Sequence, residues 1–205
     1  MSTEKPPATT HSKKSTWKAE AWSLLMVLAL VTTARSSFAD HYYVPSGSME
    51  YSLMPGDRVV VNKTAYGLRI PLTKIDILGD TTPERGDVAV FDSPRDGTRL
   101  IKRIVAIGGD TVSLVDGQLS INGMPLGDRE LEMFGGRQAL LNLGDGGGPD
   151  IDTLAVPPGM VLALGDHRGD SLDGRYFGLI DERELFGRAV AIYYRRGDGF
   201  TWTPL

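Results

Sequence analysis

The sequence predicts a mainly β protein, a sandwich or partly closed barrel, preceded by one apolar segment. Three observations predict this class. Short apolar runs of strand length recur at Val59-Val60-Val61, Val88 to Phe91, Leu100 to Ile107, Val161 to Leu164 and Val190 to Tyr194. Glycine, proline and aspartate punctuate them, as at Gly108-Gly109-Asp110, Asp116-Gly117 and Asn122-Gly123. In the part that follows the apolar segment, only Glu182 to Phe186 suggests a helical turn. A hydrophobic content of 41% over 205 residues is enough for a core.

Residues 1–18 are polar, with Pro, Ser, Thr and lysines, and read as a disordered tail. Ser15-Thr16-Trp17-Lys18 matches the SxxK pattern of some serine hydrolases, but no Lys-Thr-Gly accompanies it, so it is set aside as chance. Ala19 to Ala39 is the membrane element. A span needs roughly 20 mostly apolar residues, so this run is long enough only if Arg35 snorkels to the far interface. Lys13, Lys14 and Lys18 precede it, which leaves the N-terminus cytoplasmic and residues 40–205 outside. A basic start, a short apolar core and Ser37-Phe38-Ala39 also describe a cleavable secretory signal. Both readings export the domain.

Pro45-Ser46-Gly47-Ser48-Met49 follows and runs into the valines at 59–61. It places two hydroxyls either side of a glycine, where the chain can turn tightly and approach a ligand. A serine needs a base and an oxyanion site beside it to act as a nucleophile. Arg85-Gly86-Asp87 opens the next strand, and strand alternation in the one after it places Lys102 on one face with Leu100 and Ile104. Such a lysine is either an edge-strand gatekeeper or a desolvated amine with a lowered pKa, able to accept a proton from serine. Thr111 to Leu126 reads as a pair of hairpins, and Gly127 to Asp152, charged and then glycine-rich, as a mobile insertion. Gly165 to Gly178 packs charge, glycine and hydroxyl into one loop after an apolar strand; the alternative to a site is a solvated loop knitted by Asp/Arg pairs. Arg-Gly-Asp occurs at 85, 168 and 196, and three copies beside strands read as turns leading into them rather than as adhesion motifs.

Composition excludes several classes. A net charge of −4 argues against a nucleic-acid binder. With no cysteine there is no thiol nucleophile, disulfide or cysteine-ligated metal. His11, His41 and His167 are scattered, which leaves little for a histidine triad or a zinc site.

Taken in order, Pro45 to Met49, Arg85-Gly86-Asp87 with its apolar strand, Ile101-Lys102-Arg103, and Gly165-Asp166 through Gly178 resemble the successive signature boxes of bacterial type I signal peptidase (leader peptidase). The preceding apolar segment matches too, and the resemblance covers roughly residues 20–195. It implies a β-rich catalytic core with a smaller inserted β lobe at about 110–160, behind a retained transmembrane helix. It also implies that Ser48 is the nucleophile and Lys102 the general base. Ser46 matches the hydroxyl of the oxyanion site, Ser171 the residue that orients the lysine, and Asp173 and Arg175 a supporting ion pair, with Asp166 and Arg103 as further supporting residues. Val44, Pro45, Leu53, Leu100 and Ile101 match the shallow pockets for small side chains at the −1 and −3 positions of a preprotein signal peptide. No metal or organic cofactor is implied; the implied partners are signal peptides, membrane lipid and the neighbouring secretion translocon, with no nucleic acid. Tyr51 stands where the family has proline, and His167 where it has asparagine. Two rival readings are a self-cleaving Ser/Lys protease, which expects a DNA-binding domain in place of the apolar segment, and a non-catalytic exported β-domain that serves as a binding module.

Overall fold

The computed structural model describes residues 17, 19–28, 39–69, 76–78 and 82–205. The chain divides into two compact units, Met1–Ser36 and Ser37–Leu205. In the first, Trp17 and residues 19–28 are helical. Among the described residues, no helix is long and apolar enough to cross a membrane. The tail before Trp17, Ser15 and Lys18 of the SxxK match, residues 29–38 of the expected span with Arg35, and Ser37-Phe38 all lie outside the described residues.

Among its described residues the second unit contains sixteen strands: β1 (Ala39–Tyr43), β2 (Arg58–Asn62), β3 (Leu68–Arg69), β4 (Asp76–Leu78), β5 (Val88–Asp92), β6 (Arg99–Ile107), β7 (Thr111–Val115), β8 (Gln118–Ile121), β9 (Met124–Pro125), β10 (Leu131–Phe134), β11 (Arg137–Leu140), β12 (Ile151–Ala155), β13 (Met160–Leu164), β14 (Ile180–Asp181), β15 (Leu185–Arg195) and β16 (Gly199–Pro204). The main antiparallel sheet has the order β1-β2-β15-β5-β6-β13-β14, and β16 also pairs with β15. β5 is buried from Val88 to Phe91 because both its edges and both its faces are covered, which is why it reads as a continuous apolar run. β2 instead alternates, with Val59 and Val61 buried and Arg58 exposed. The single strand β15 joins β2, β5 and β16, and it does so through register shifts at three places along its length.

A second sheet, β12-β7-β8-β9, stacks on the first through Val112, Leu114, Leu119 and Ile121 against Val105, Leu162 and Leu164. The expected hairpins are there. Asp116-Gly117 and Asn122-Gly123 all have positive φ, between 48° and 78°, as the two-residue turns of right-twisted hairpins require.

Three expectations are corrected. The segment from Gly127 to Asp152 is not a free insertion: it folds β10 against β11. Its glycine-rich end is tied down where Arg175 Nη1 donates to the Gly147 carbonyl at 2.7 Å. The Arg-Gly-Asp triplets differ from one another. Those at 85 and 196 precede β5 and β16 with glycine at positive φ, whereas Arg168 is almost wholly buried and sits within a loop. The β regions missed by the reading include β1, which begins at Ala39 inside the segment assigned to the membrane, and β16.

Candidate active site

The turn that carries Ser48 is held from below and from both ends. Met49 and Leu53 are fully buried beside Val44, Val59 and Val61, so the apolar residues of the motif anchor it in the core. Val44 N–H donates to the Asp57 carbonyl at 2.9 Å, and Gly56 N–H donates to the Val44 carbonyl at 2.9 Å, closing the segment into a loop. Ser46 Oγ lies 3.4 Å from Ser48 Oγ.

Lys102 comes from β6, an interior strand paired with β5 on one side and β13 on the other. The gatekeeper reading fails, because β6 is not an edge strand and the amine is buried instead of standing in solvent. Lys102 is 3% exposed, and its Nζ donates to Ser48 Oγ across 54 residues of sequence. Burial pulls its pKa down to about 8, against the opposing pull of Asp173 and Asp166.

The loop after β13 closes the site. His167 N–H donates to the Ser48 carbonyl at 3.2 Å. Gly165 is needed at this contact, since a Cβ there would run into the Ser48 carbonyl and Ser171 Oγ. Gly165 N–H donates to Asp173 Oδ2 at 2.9 Å, and Arg175 grips both oxygens of Asp173 at 2.8 Å. Burial would raise the Asp173 carboxyl, but the Arg175 guanidinium and the Gly165 N–H hold it below the usual carboxylate range. Asp173 also starts the single helical turn Gly174–Phe177 by accepting from Arg175 N–H. Arg103 pairs with both oxygens of Asp166, at 2.9 and 2.7 Å, and also donates to Ser52 Oγ and the Gly86 carbonyl. That one guanidinium thus joins the segment after Ser48, the Arg-Gly-Asp turn before β5 and the loop after β13.

Other anticipated residues fall differently. Ser171 Oγ is buried and makes no hydrogen bond to Lys102; it lies beside Asp173, whose carboxyl it helps to hold down. Val44, Leu53 and Ile101 meet in one apolar cluster, whereas Leu100 packs on another with Phe91 and Ile104. Consecutive residues of β6 point to opposite faces, so Leu100 and Ile101 cannot line the same wall. Pro45 is exposed. Among the described residues no group of acidic or histidine side chains could hold a metal ion.

Sequence reasoning missed three residues around the site. Glu132 receives Arg168 Nη2 at 2.7 Å, Asn142 pairs with His167 in an isolated bridge, and Asp145 receives His167 Nε2 at 2.9 Å. No spacing pattern announces partners 22 to 36 residues apart in a glycine-rich segment.

A serine hydroxyl in contact with a buried amine whose pKa is drawn down to about 8 has a proton acceptor beside it, which a serine hydrolase needs. The family model "Signal peptidase, peptidase S26" matches residues 17–194. Signal peptidase I of Pseudomonas aeruginosa is 31% identical, over 83% of this chain and 70% of that protein. Probable signal peptidase I-2 of Synechocystis is 29% identical, over 93% and 77%. A solved signal peptidase I from Enterococcus faecalis is 32% identical with a TM-score of 0.41, covering 52% of this chain and 95% of that one. The chain belongs to the signal peptidase family, peptidase S26, and is a serine endopeptidase.

Proposed function

We propose that this protein removes N-terminal signal peptides from exported preproteins, with Ser48 as nucleophile and Lys102 as general base. The observation that carries the reading is the contact between Ser48 Oγ and the buried Lys102 amine. The neutral amine takes the Ser48 proton as Oγ attacks the carbonyl that follows a small residue. The Ser48 N–H and the Ser46 hydroxyl receive the developing oxyanion. The protonated lysine returns its proton to the leaving amine, and water, deprotonated by the same lysine, then hydrolyses the acyl-enzyme. Ser171, Asp173 and Arg175, with Asp166 and Arg103, hold the lysine and the loop in place. Val44, Leu53 and Ile101 line one wall of the substrate's path, beside Pro45, and Leu100 lines another. Incubating the purified protein with a preprotein, beside a Ser48→Ala variant, tests the reading; cleavage by the variant at the wild-type rate would end it.

The same reading makes residues 1–18 a cytoplasmic tail, 19–39 an anchor in the bacterial inner membrane, and 40–205 a catalytic domain on the outer face, with a β lobe at about 110–160. The enzyme then works beside the translocon on substrates held in the same bilayer, where tethering raises their effective concentration. A retained anchor predicts that the protein from intact cells resists carbonate extraction and keeps its N-terminal residues. A soluble chain starting at Asp40 would show instead that Ser37-Phe38-Ala39 is cleaved.

Two further results are expected. Ser46→Ala lowers kcat by on the order of 10² to 10³ with little change in KM, because an oxyanion donor acts mainly in the transition state. A raised KM at unchanged kcat would make Ser46 a binding residue. Activity rises with pH through about 8 and then levels, because Lys102 must be neutral to act and is protonated below its pKa. A rate that is flat from pH 6 to 9 would remove Lys102 from the base role.

A further inference from the structure

The loop that closes on Ser48 is fastened to the strands of the β lobe by a wholly buried side chain. The Arg168 guanidinium is 0% exposed and donates to three separate segments. Nε donates to the Gly165 carbonyl at 3.0 Å, at the start of its own loop. Nη1 donates to the Gly117 carbonyl at 2.7 Å, in the turn between β7 and β8. Nη2 donates to Glu132 Oε2 at 2.7 Å, on β10. Glu132 is as enclosed as its partner, and its other oxygen, Oε1, is buried with no hydrogen-bond partner among the described residues. Burial pushes the Glu132 carboxyl up, against the pull of Arg168. The backbone repeats the attachment: Arg168 N–H donates to the Asn142 carbonyl at 3.1 Å, and Asn142 N–H to the Asp166 carbonyl at 2.9 Å. Gly165 is where this fastening reaches the reaction. Its N–H is held by Asp173 and its carbonyl by Arg168, while its Cα presses on the Ser48 carbonyl so closely that no Cβ would fit. Two residues on, His167 N–H donates to the same Ser48 carbonyl. The loop also carries Asp166 and Asp173, the carboxylates that pull on Lys102.

We propose that Glu132 is a positioning residue for the catalytic pair: it holds the Arg168 guanidinium on the Gly165 carbonyl, and through that carbonyl it fixes the loop against Ser48. A guanidinium cannot shed its charge, so without Glu132 it turns toward water and its Nε leaves the Gly165 carbonyl. Gly165 and His167 then bear less firmly on the Ser48 backbone. Displacing a reacting group by about 1 Å can cost up to about 10²-fold in rate. Glu132 and Arg168 are both buried, out of reach of a substrate, so the loss falls on kcat and leaves KM alone. Positioning and plain support of the fold can be told apart because a buried ion pair tolerates replacement of both members. Apolar residues of similar volume in both places leave no stranded charge and restore stability, but they do not restore the bond to Gly165.

The proposal rests on Ser48 being the nucleophile, and a Ser48→Ala control separates the two ideas. If that control cleaves preprotein normally, the dyad fails; if it is inactive, the Glu132 variants are informative. Preprotein cleavage and urea unfolding are measured side by side on the full chain. Glu132→Leu is expected to lower kcat about tenfold with KM unchanged, and to lower the urea midpoint because Arg168 is stranded. Arg168→Met should lower kcat by the same factor. The double variant should be no slower than Arg168→Met alone, because Glu132 acts through Arg168, yet its midpoint should return toward wild type. Glu132→Gln keeps an oxygen for Arg168 Nη2 but not the charge. It should therefore hold kcat within about threefold of wild type while its midpoint still falls. The double variant, free of any stranded charge, also covers the case in which a single variant does not fold. Unchanged kcat in folded Glu132→Leu would overturn the proposal, as would kcat in the double variant recovering along with its midpoint. So would additive losses of kcat in the double variant, a change in KM alone, or a loss of kcat in Glu132→Gln as large as in Glu132→Leu.

Discussion

Ser48→Ala and Lys102→Met are each expected to lower preprotein cleavage by on the order of 10⁴ or more, and the double variant to be no worse than either. The reason lies in the division of labour. Without the hydroxyl there is no acyl-enzyme, and without the amine nothing takes the hydroxyl's proton at neutral pH. Residues that act as one unit are not additive, so the second loss removes nothing that the first left intact. Methionine is the informative partner for lysine, because it keeps an unbranched chain of similar volume in a site only 3% exposed. Both variants should therefore melt within a few degrees of wild type. Cleavage rates measured beside thermal unfolding check the prediction, and substantial turnover by folded Ser48→Ala would sink it.

Asp166→Ala carries the largest expected effect on stability. It leaves the Arg103 guanidinium charged at 2% exposure, with Ser52 Oγ and the Gly86 carbonyl as its remaining hydrogen-bond partners among the described residues. Breaking a buried ion pair by removing one member costs about 3–5 kcal/mol, out of a total stability of about 5–15 kcal/mol for a typical domain. The guanidinium stays charged in the variant, so it cannot escape the cost by neutralising. A double variant with Arg103→Met should recover part of the loss, since the stranded charge goes with it. The midpoint of urea unfolding reads both effects. A drop below about 1 kcal/mol in Asp166→Ala would mean that water reaches the guanidinium and satisfies it. Activity should fall in the same variant, because Arg103 joins the segment after Ser48 to the loop that closes on it.

How far the sequence could be read depended on how local each signal was. The strands β5, β6 and β13 were legible because burial on both faces leaves a continuous apolar run. The turns at Asp116-Gly117 and Asn122-Gly123 were legible because a two-residue hairpin demands positive φ at both positions. β16 had a usable signal, a glycine turn followed by alternating aromatic and β-branched residues, and it went unread. The hairpin β10–β11 was hidden for another reason. Its buried charge, Glu132, looks like surface until Arg168, 36 residues further on, is seen to donate to it.

By itself, the sequence determined the β class, the order of the four motif segments and the identity of the side chains they bring, since each of these is written in contiguous residues. Only the tertiary structure decided that Lys102 lies on an interior strand and not at an edge, because strand order depends on pairings that no local pattern encodes. It alone placed Leu100 apart from Val44, Leu53 and Ile101, set Ser171 beside Asp173 and not on Lys102, and set Glu50, Asp145 and His167 together around the serine turn. Those outcomes are set by which strands and loops pack together, and long-range packing fixes contacts between residues whose separation in sequence carries no information about their separation in space.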